Sequence, residues 1–203
     1  MIREARNLFD RVDAKKNVVT WTAMVSGYIR MNQISEAEKL FYEMSHKNLV
    51  SWNTMINGYL QSNLIDSALS LFEKMPESNL VSWNAVIMAL GYTNNLRLEE
   101  ALELFERMPE RDIPSWNAII TGFIQNGNLK KADKLFNEML DKNVISWTTM
   151  ITGYIQDGQS EVALRIFSRM QAANGVKPNQ GTFVSVLAAC SSLAGLSEGH
   201  QIH

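Results

Sequence analysis

Apolar residues return along this chain at the spacing of one helix face, stop, and return again. Over residues 51–79, Trp52, Met55, Ile56 and Tyr59 fall at i, i+3, i+4 and i+7, the pattern of an amphipathic α-helix. Ser51 stands just before them and is the expected N-cap. Asn63 ends the pattern. A second helix follows, with Ala68, Leu71, Phe72 and Met75 on one face, and Pro76 stops it. Residues 18–48 read the same way, with Trp21, Val25 and Tyr28 on the first helix and Ala37, Leu40, Phe41 and Met44 on the second. One such hairpin cannot bury both apolar stripes, but a stack of about three or more can.

The pattern is periodic. Tryptophan stands at positions 21, 52, 83, 116 and 147, with gaps of 31, 31, 33 and 31 residues. Each opens a similar phrase: TWTAMVSGY, SWNTMINGY, SWNAVIMALGY, SWNAIITGF, SWTTMITGY. A second phrase follows each: EAEKLFYEM, SALSLFEKM, EALELFERM, KADKLFNEM, VALRIFSRM. A period of this length predicts an all-α, right-handed superhelical solenoid of stacked helix-turn-helix repeats. Full repeats span 18–48, 49–79, 80–112, 113–143 and 144–179, flanked by half repeats at 1–17 and 180–203. The third repeat is two residues longer, between Trp83 and Ala101, and the fifth has a longer exit, AANGVKPN. Both insertions are expected in turns. Met1 leads straight into IREARNLFDRV, the second half of a repeat, so the array is expected to continue beyond this chain.

Composition narrows the options modestly. The 203 residues are 46% hydrophobic, ample for a folded core, and a net charge of −2 gives no global pull toward nucleic acid. The single cysteine, Cys190, excludes an internal disulfide framework and any multi-cysteine zinc site. It lies in the apolar phrase FVSVLAACS and is expected in the core. No apolar run approaches the ~20 residues of a membrane span. Gly27, Gly58, Gly122 and Gly153 recur on the first helices, where close approach of a neighbour is expected.

The two helices of a repeat differ in their polar residues. Second helices carry charges, as at Glu36, Glu38, Lys39 and Glu43, an ordinary solvated face. First helices carry mostly amides and hydroxyls at i, i+4 and i+8: Thr22, Ser26, Arg30; Asn53, Asn57, Gln61; Asn117, Thr121, Gln125; Thr148, Thr152, Gln156. The third repeat keeps Asn84, with Met88 next. Stacking would align these stripes into a groove of neutral donors and acceptors. Three readings are open at this point: a plain polar surface, a peptide groove, or a groove for the edges of unpaired bases.

The phrases S-W-N-x-x-I-x-G-Y and E-A-x-x-L-F-x-x-M, recurring five times, resemble the pentatricopeptide repeat. The likeness is greatest to the short 31-residue variant of the plant PLS class, found in organellar RNA-editing factors. The tetratricopeptide spacing W-x2-L-G-x2-Y does not fit, although a peptide-binding scaffold of that kind remains the alternative. The resemblance implies single-stranded RNA binding at one base per repeat. It implies base readers just after the tryptophan, at Thr22, Asn53, Asn84, Asn117 and Thr148, each paired with the last residue of its repeat: Asn48, Asn79, Asp112, Asn143 and Asn179. The family's pairing rules then give A-C-U-C-A, the middle three being pyrimidines. Residues two before the tryptophan would sandwich the bases: Val19, Val50, Val81, Pro114 and Ile145. Val184 holds the reader position of the last half repeat without a hydrogen-bonding group. Phosphate-meeting positions would be Arg30, Gln61, Gln125 and Gln156, of which only Arg30 is charged.

No catalytic constellation stands out, so a binding protein rather than an enzyme is expected, with no cofactor. The H-x-E and C-x-x-C motifs of a zinc-dependent deaminase do not occur. His200 and His203 stand three apart with no third ligand in place, and no metal is expected. By resemblance the partners are single-stranded organellar RNA and editing-complex proteins that supply a deaminase. The protein is expected to act as a monomer off the membrane, in a mitochondrion or chloroplast, with the mitochondrion favoured.

Overall fold

The computed structural model describes residues 2–11, 17–91, 95–173 and 175–201. Twelve helices run through them: α1 (Ile2–Arg11), α2 (Val18–Arg30), α3 (Ile34–Glu43), α4 (Leu49–Gln61), α5 (Ile65–Glu73), α6 (Leu80–Gly91), α7 (Asn95–Arg107), α8 (Ile113–Gln125), α9 (Leu129–Glu138), α10 (Val144–Gln156), α11 (Ser160–Ala172) and α12 (Gln180–Gln201). Among the described residues there is no strand, as the periodicity requires. Even-numbered helices from α2 to α10 carry the tryptophans, and odd-numbered ones from α3 to α11 carry the charged faces. Contacts divide the chain into two compact units, Met1–Ala89 and Leu90–His203. In the first unit α2 packs on α3 and α4, and α4 on α5. In the second, α8 packs on α9 and α10, and α10 on α11 and α12.

The first helices begin earlier than Ser51 suggested. The N-cap of α4 is Asn48, whose Oδ1 accepts the Ser51 N–H at 3.0 Å. Ser51 Oγ accepts the Asn48 N–H at 2.9 Å, closing a capping box. A carboxamide reaches forward to the third helical N–H, whereas Ser51 already lies inside the first turn and is buried. Asn17, Asp112 and Asn143 cap α2, α8 and α10 alike, and Asn79 and Asn179 accept from the third residues of α6 and α12. Each such cap is worth about 1 kcal/mol.

The first helices end in a repeated left-handed residue: Asn32 (φ 56°), Asn63 (57°), Gly127 (73°) and Gly158 (76°). Around Asn63 the Leu64 N–H donates to Tyr59 O at 2.8 Å and the Asn63 N–H to Leu60 O at 3.0 Å, a Schellman ending. Only asparagine and glycine take this conformation at little cost, so the sequence places the turn.

The repeats are joined by aromatic contacts. Phe41 meets Trp52 edge-to-face at 5.2 Å, and Phe72–Trp83, Phe105–Trp116 and Phe136–Trp147 follow at 4.8, 4.8 and 5.0 Å. Each pair links a second helix to the next first helix and adds about 1 kcal/mol to its area burial. The glycines take close neighbours, as expected. A Cβ on Gly153 would lie 2.8 Å from Ile124 Cγ2, and one on Gly58 2.5 Å from Ile29 Cδ1.

Two further expectations fail. The extra length of the third repeat enters a helix as well as its turn: α7 starts six residues before Ala101, whereas α5 and α9 start three before Ala68 and Ala132. Leu96, Leu98 and the glutamates that follow are good helix formers and extend the amino end. Residues 92–94 of that turn lie outside the described residues. Cys190 is exposed rather than core, because Ala189 takes the buried position on α12 and the next residue turns about 100° away.

Candidate nucleic-acid interface

The amino ends of the first helices hold every candidate reader. Val19, Val50, Val81, Pro114 and Ile145 are each the second residue of their helix and point to solvent. Ile145 is 58% exposed and Val19 72%, an uncovered aliphatic side chain repeated at one register. Thr22, Asn53, Asn84, Asn117 and Thr148 are the fifth residues, half-buried one turn further on. Their partners Asn48, Asn79, Asp112, Asn143 and Asn179 are the caps of the following helix. A residue that ends one repeat in sequence therefore opens the next in space.

This geometry brings specific pairs together. Asn53 Nδ2 donates to Asn79 Oδ1 at 3.3 Å. Asn79 Oδ1 also accepts the Ser82 N–H at 3.1 Å, so the carboxamide turns its Nδ2 outward as a donor. Asn53 Oδ1 and Asn117 Oδ1 are buried without a hydrogen-bond partner among the described residues. Thr148 Oγ1 lies 2.8 Å from Thr182 Oγ1, which bonds Asn179 Oδ1 at 3.0 Å. Thr22 instead donates its hydroxyl to Val18 O of its own helix at 2.7 Å. Asn84 belongs to the first unit and Asp112 to the second, where Asp112 Oδ1 accepts the Ser115 N–H at 2.9 Å.

In the second unit the stripe forms a cleft. Thr121, Gln125, Ile145, Thr148, Thr152, Gln156 and Asn179 line it together, joining the polar positions of α8 and α10 to one cap and one aliphatic side chain. No formal charge lies among these residues. Arg30, Gln61, Gln125 and Gln156 end their helices and are solvent-exposed or nearly so. Met88 is 44% exposed and breaks the polar stripe of α6.

Two roles escaped the sequence reading. The third-position hydroxyls Ser51, Ser82, Ser115, Ser146 and Thr182 are buried and hold the caps in place. Lys47, Arg111 and Lys142 each precede a cap and sit over a phenylalanine ring, at 5.2 Å from Phe41, 5.0 Å from Phe105 and 5.1 Å from Phe136. Lys47 donates to Met44 O at 2.7 Å, Lys142 to Met139 O, and Arg111 Nε to Phe105 O at 3.0 Å, so each cation tethers the end of a second helix. Burial pulls the Lys47 and Lys142 ammonium groups below their ordinary range. The signal was present as K-N, R-D and K-N before each first helix.

Among the described residues no three His, Cys, Asp or Glu side chains gather as metal ligands, and no helix is long and apolar enough to cross a membrane. His203 and the side chain of His200 lie outside the described residues.

Comparison with known proteins gives a consistent result. The model described as PPR repeat matches residues 19–49, 50–80 and 81–113, and that of the PPR repeat family matches 111–144 and 142–192. A mitochondrial pentatricopeptide repeat-containing protein of Arabidopsis thaliana is 75% identical over 28 residues, 14% of this chain and 4% of its own. Another from the same plant is 56% identical over 43 residues, 21% of this chain and 5% of its own. The chain thus matches only a small part of these relatives. The crystal structure of pentatricopeptide repeat protein PPR10 from maize superposes with a TM-score of 0.75 at 19% identity, over 97% of this chain and 31% of that one. The same protein in complex with an 18-nt psaJ RNA element gives 0.71 at 18% identity, over 90% and 29%. These likenesses show an all-α repeat fold.

Proposed function

The chain belongs to the PPR repeat family, and from that premise we propose that it binds single-stranded RNA at one base per repeat through the amino ends of its first helices. The solved relative in complex with an RNA element supports the ligand class. The observation that carries the reading here is the Asn53–Asn79 contact, which joins a reader to the cap of the next helix.

The hydrogen-bond states suggest which bases fit. A capping asparagine has spent its oxygen on the helix and offers the N–H of its Nδ2. Thr22 has spent its proton on Val18 O and offers lone pairs. A donor beside an acceptor complements a base with an exocyclic amino group next to a ring nitrogen, as in adenine and cytosine. Threonine paired with asparagine is assigned to adenine and asparagine with asparagine to cytosine. Asp112 offers only acceptors and suits the ring N–H of uracil. The order is A-C-U-C-A, with the middle three pyrimidines. Val19, Val50, Val81, Pro114 and Ile145 present the apolar surfaces between which bases would stack.

Within this proposal the chain is the address-reading, non-catalytic part of an organellar C-to-U editing or processing factor of the PLS class. It acts as a monomer, with the deaminase supplied by other editing-complex proteins. The mitochondrion is favoured by the named relative. A peptide-binding scaffold is disfavoured by the cap–reader pairing, which a peptide groove does not require.

The test is Thr22→Asn, which gives the first repeat the pair found in the second. Preference at the first base should move from A toward C or U, each wrong base costing about 1–3 kcal/mol. Binding of ACUCA- and CCUCA-containing RNA to both proteins measures this, with melting temperature as the control. An unchanged ranking in a folded variant removes Thr22 as a reader.

A further inference from the structure

Repeats one and five carry the same reader pair, threonine with asparagine, yet hold it differently. Thr182, the third residue of α12, is completely buried and touches both members of the fifth pair. Its Oγ1 lies 3.0 Å from Asn179 Oδ1 and 2.8 Å from Thr148 Oγ1. An amide oxygen only accepts, so two oxygens at that distance need the Thr182 proton between them. The proton of the second bond therefore comes from Thr148. One turn on, Ser185 donates to Gly181 O at 3.1 Å, so Thr152, 3.1 Å from Ser185 Oγ, donates across the same junction. Thr22 has no such tie: its hydroxyl folds back onto Val18 O within its own helix, and Ser51, the counterpart of Thr182, donates to Asn48 O at 2.8 Å.

We propose that Thr182 is a positioning residue that locks Thr148 and Asn179 into one acceptor–donor unit, making the fifth base position more selective for an amino-bearing base than the first. The inference rests on the RNA reading given above. Thr148 is drawn toward Asn179 with its lone pairs left for the amino group of adenine, and Asn179, its oxygen taken by Thr182 O–H and N–H, keeps its Nδ2 for the ring nitrogen. A contact group already fixed in one rotamer loses less freedom when the base arrives. Thr22 and Asn48 are each tied only within their own helix, so their placement relative to one another must be set at that moment.

The experiment first uses the unmodified chain, with RNA carrying adenosine or purine riboside, which lacks the amino group, at position one or position five. Removing the amino group should weaken binding about fivefold more at position five than at position one, the scale of ordering one side chain. Thr182→Val, of nearly the same shape, should lower the position-five penalty to the position-one value and leave position one unchanged. Thr182→Ser, which keeps the hydroxyl, should retain the difference. Equal penalties at the two positions in the unmodified chain overturn the proposal whether or not the variants fold, and so does a Thr182→Val protein of normal melting temperature that keeps the larger penalty. If the chain shows no base preference at either position, the RNA-reading proposal itself fails, a separate result.

Discussion

First and second helices of these repeats are built by different means. A first helix starts on an asparagine or aspartate cap, braced by a hydroxyl at its third residue, exposed at Thr20 of α2 and buried in α4, α6, α8 and α10. Among the second helices, α3, α5 and α11 start with no side-chain cap at all, and α9 has one from Asn128. The second helices are held by what they bury: Leu40, Phe41, Ala132 and Phe136 are at 0% exposure, and their phenylalanines make the joints to the next repeat. The first helices share that core, since Met55, Ile56, Ile119, Ile120 and Phe123 are at 0 or 1% exposure, but they alone add polar amino ends that combine capping with presentation of donors and acceptors.

The largest test of this division is Phe136→Ala. Phe136 is fully buried, meets Trp147 edge-to-face at 5.0 Å and lies under the Lys142 ammonium. Its loss should cost about 3–5 kcal/mol in denaturant unfolding; a loss below about 1 kcal/mol would show that the Phe–Trp joint does not hold the second helices in place. Gly122→Ala should come next. Gly91 and Gly122, both in the second unit, meet at their backbones, and a Cβ on Gly122 would lie 3.0 Å from Gly91 Cα and from Leu98 Cδ1. Backbone cannot rotate aside, so overpacking should cost about 1–3 kcal/mol, read as a lowered melting temperature. Asn126 Nδ2, bonded to Gly91 O at 3.2 Å, should be disturbed with it.

The smallest stability effect separates the two duties of a cap. Asn143→Ala should cost about 1 kcal/mol, since the Ser146 N–H loses its acceptor at 3.0 Å. Asn143→Asp keeps that acceptor and places a negative charge at a helix amino end, so stability should stay within about 0.5 kcal/mol. Aspartate has no N–H to offer, and the fourth base preference should move from cytosine toward uracil. Loss of melting temperature in Asn143→Asp, or an unmoved base preference, would break the assignment of both duties to one side chain.

How far the sequence reveals this is clearest at particular residues. Trp52, Met55, Ile56 and Tyr59 give α4 and its buried face directly, because a helix repeats every 3.6 residues whatever surrounds it. Asn63 marks the end of α4 because few residues adopt a positive φ. Ser51 misled because serine and asparagine are both good caps, and choosing between them depends on which side chain reaches the third N–H. Cys190 misled because α12 is apolar nearly all round, so periodicity does not say which face is covered.

The sequence by itself determined the repeat, the helix pairs, the turns and the register of the polar stripe, since these follow from local backbone preferences and a fixed spacing. It carried the Phe–Trp joint as well, in the constant eleven residues from Phe41, Phe72, Phe105 and Phe136 to the next tryptophan. Only the tertiary structure decided that Asn79 meets Asn53 and that the Thr148 and Thr182 hydroxyls meet. Those contacts join residues 26 and 34 positions apart, through hydroxyl and amide groups with several possible partners, and stacking of one hairpin on the next selects among them.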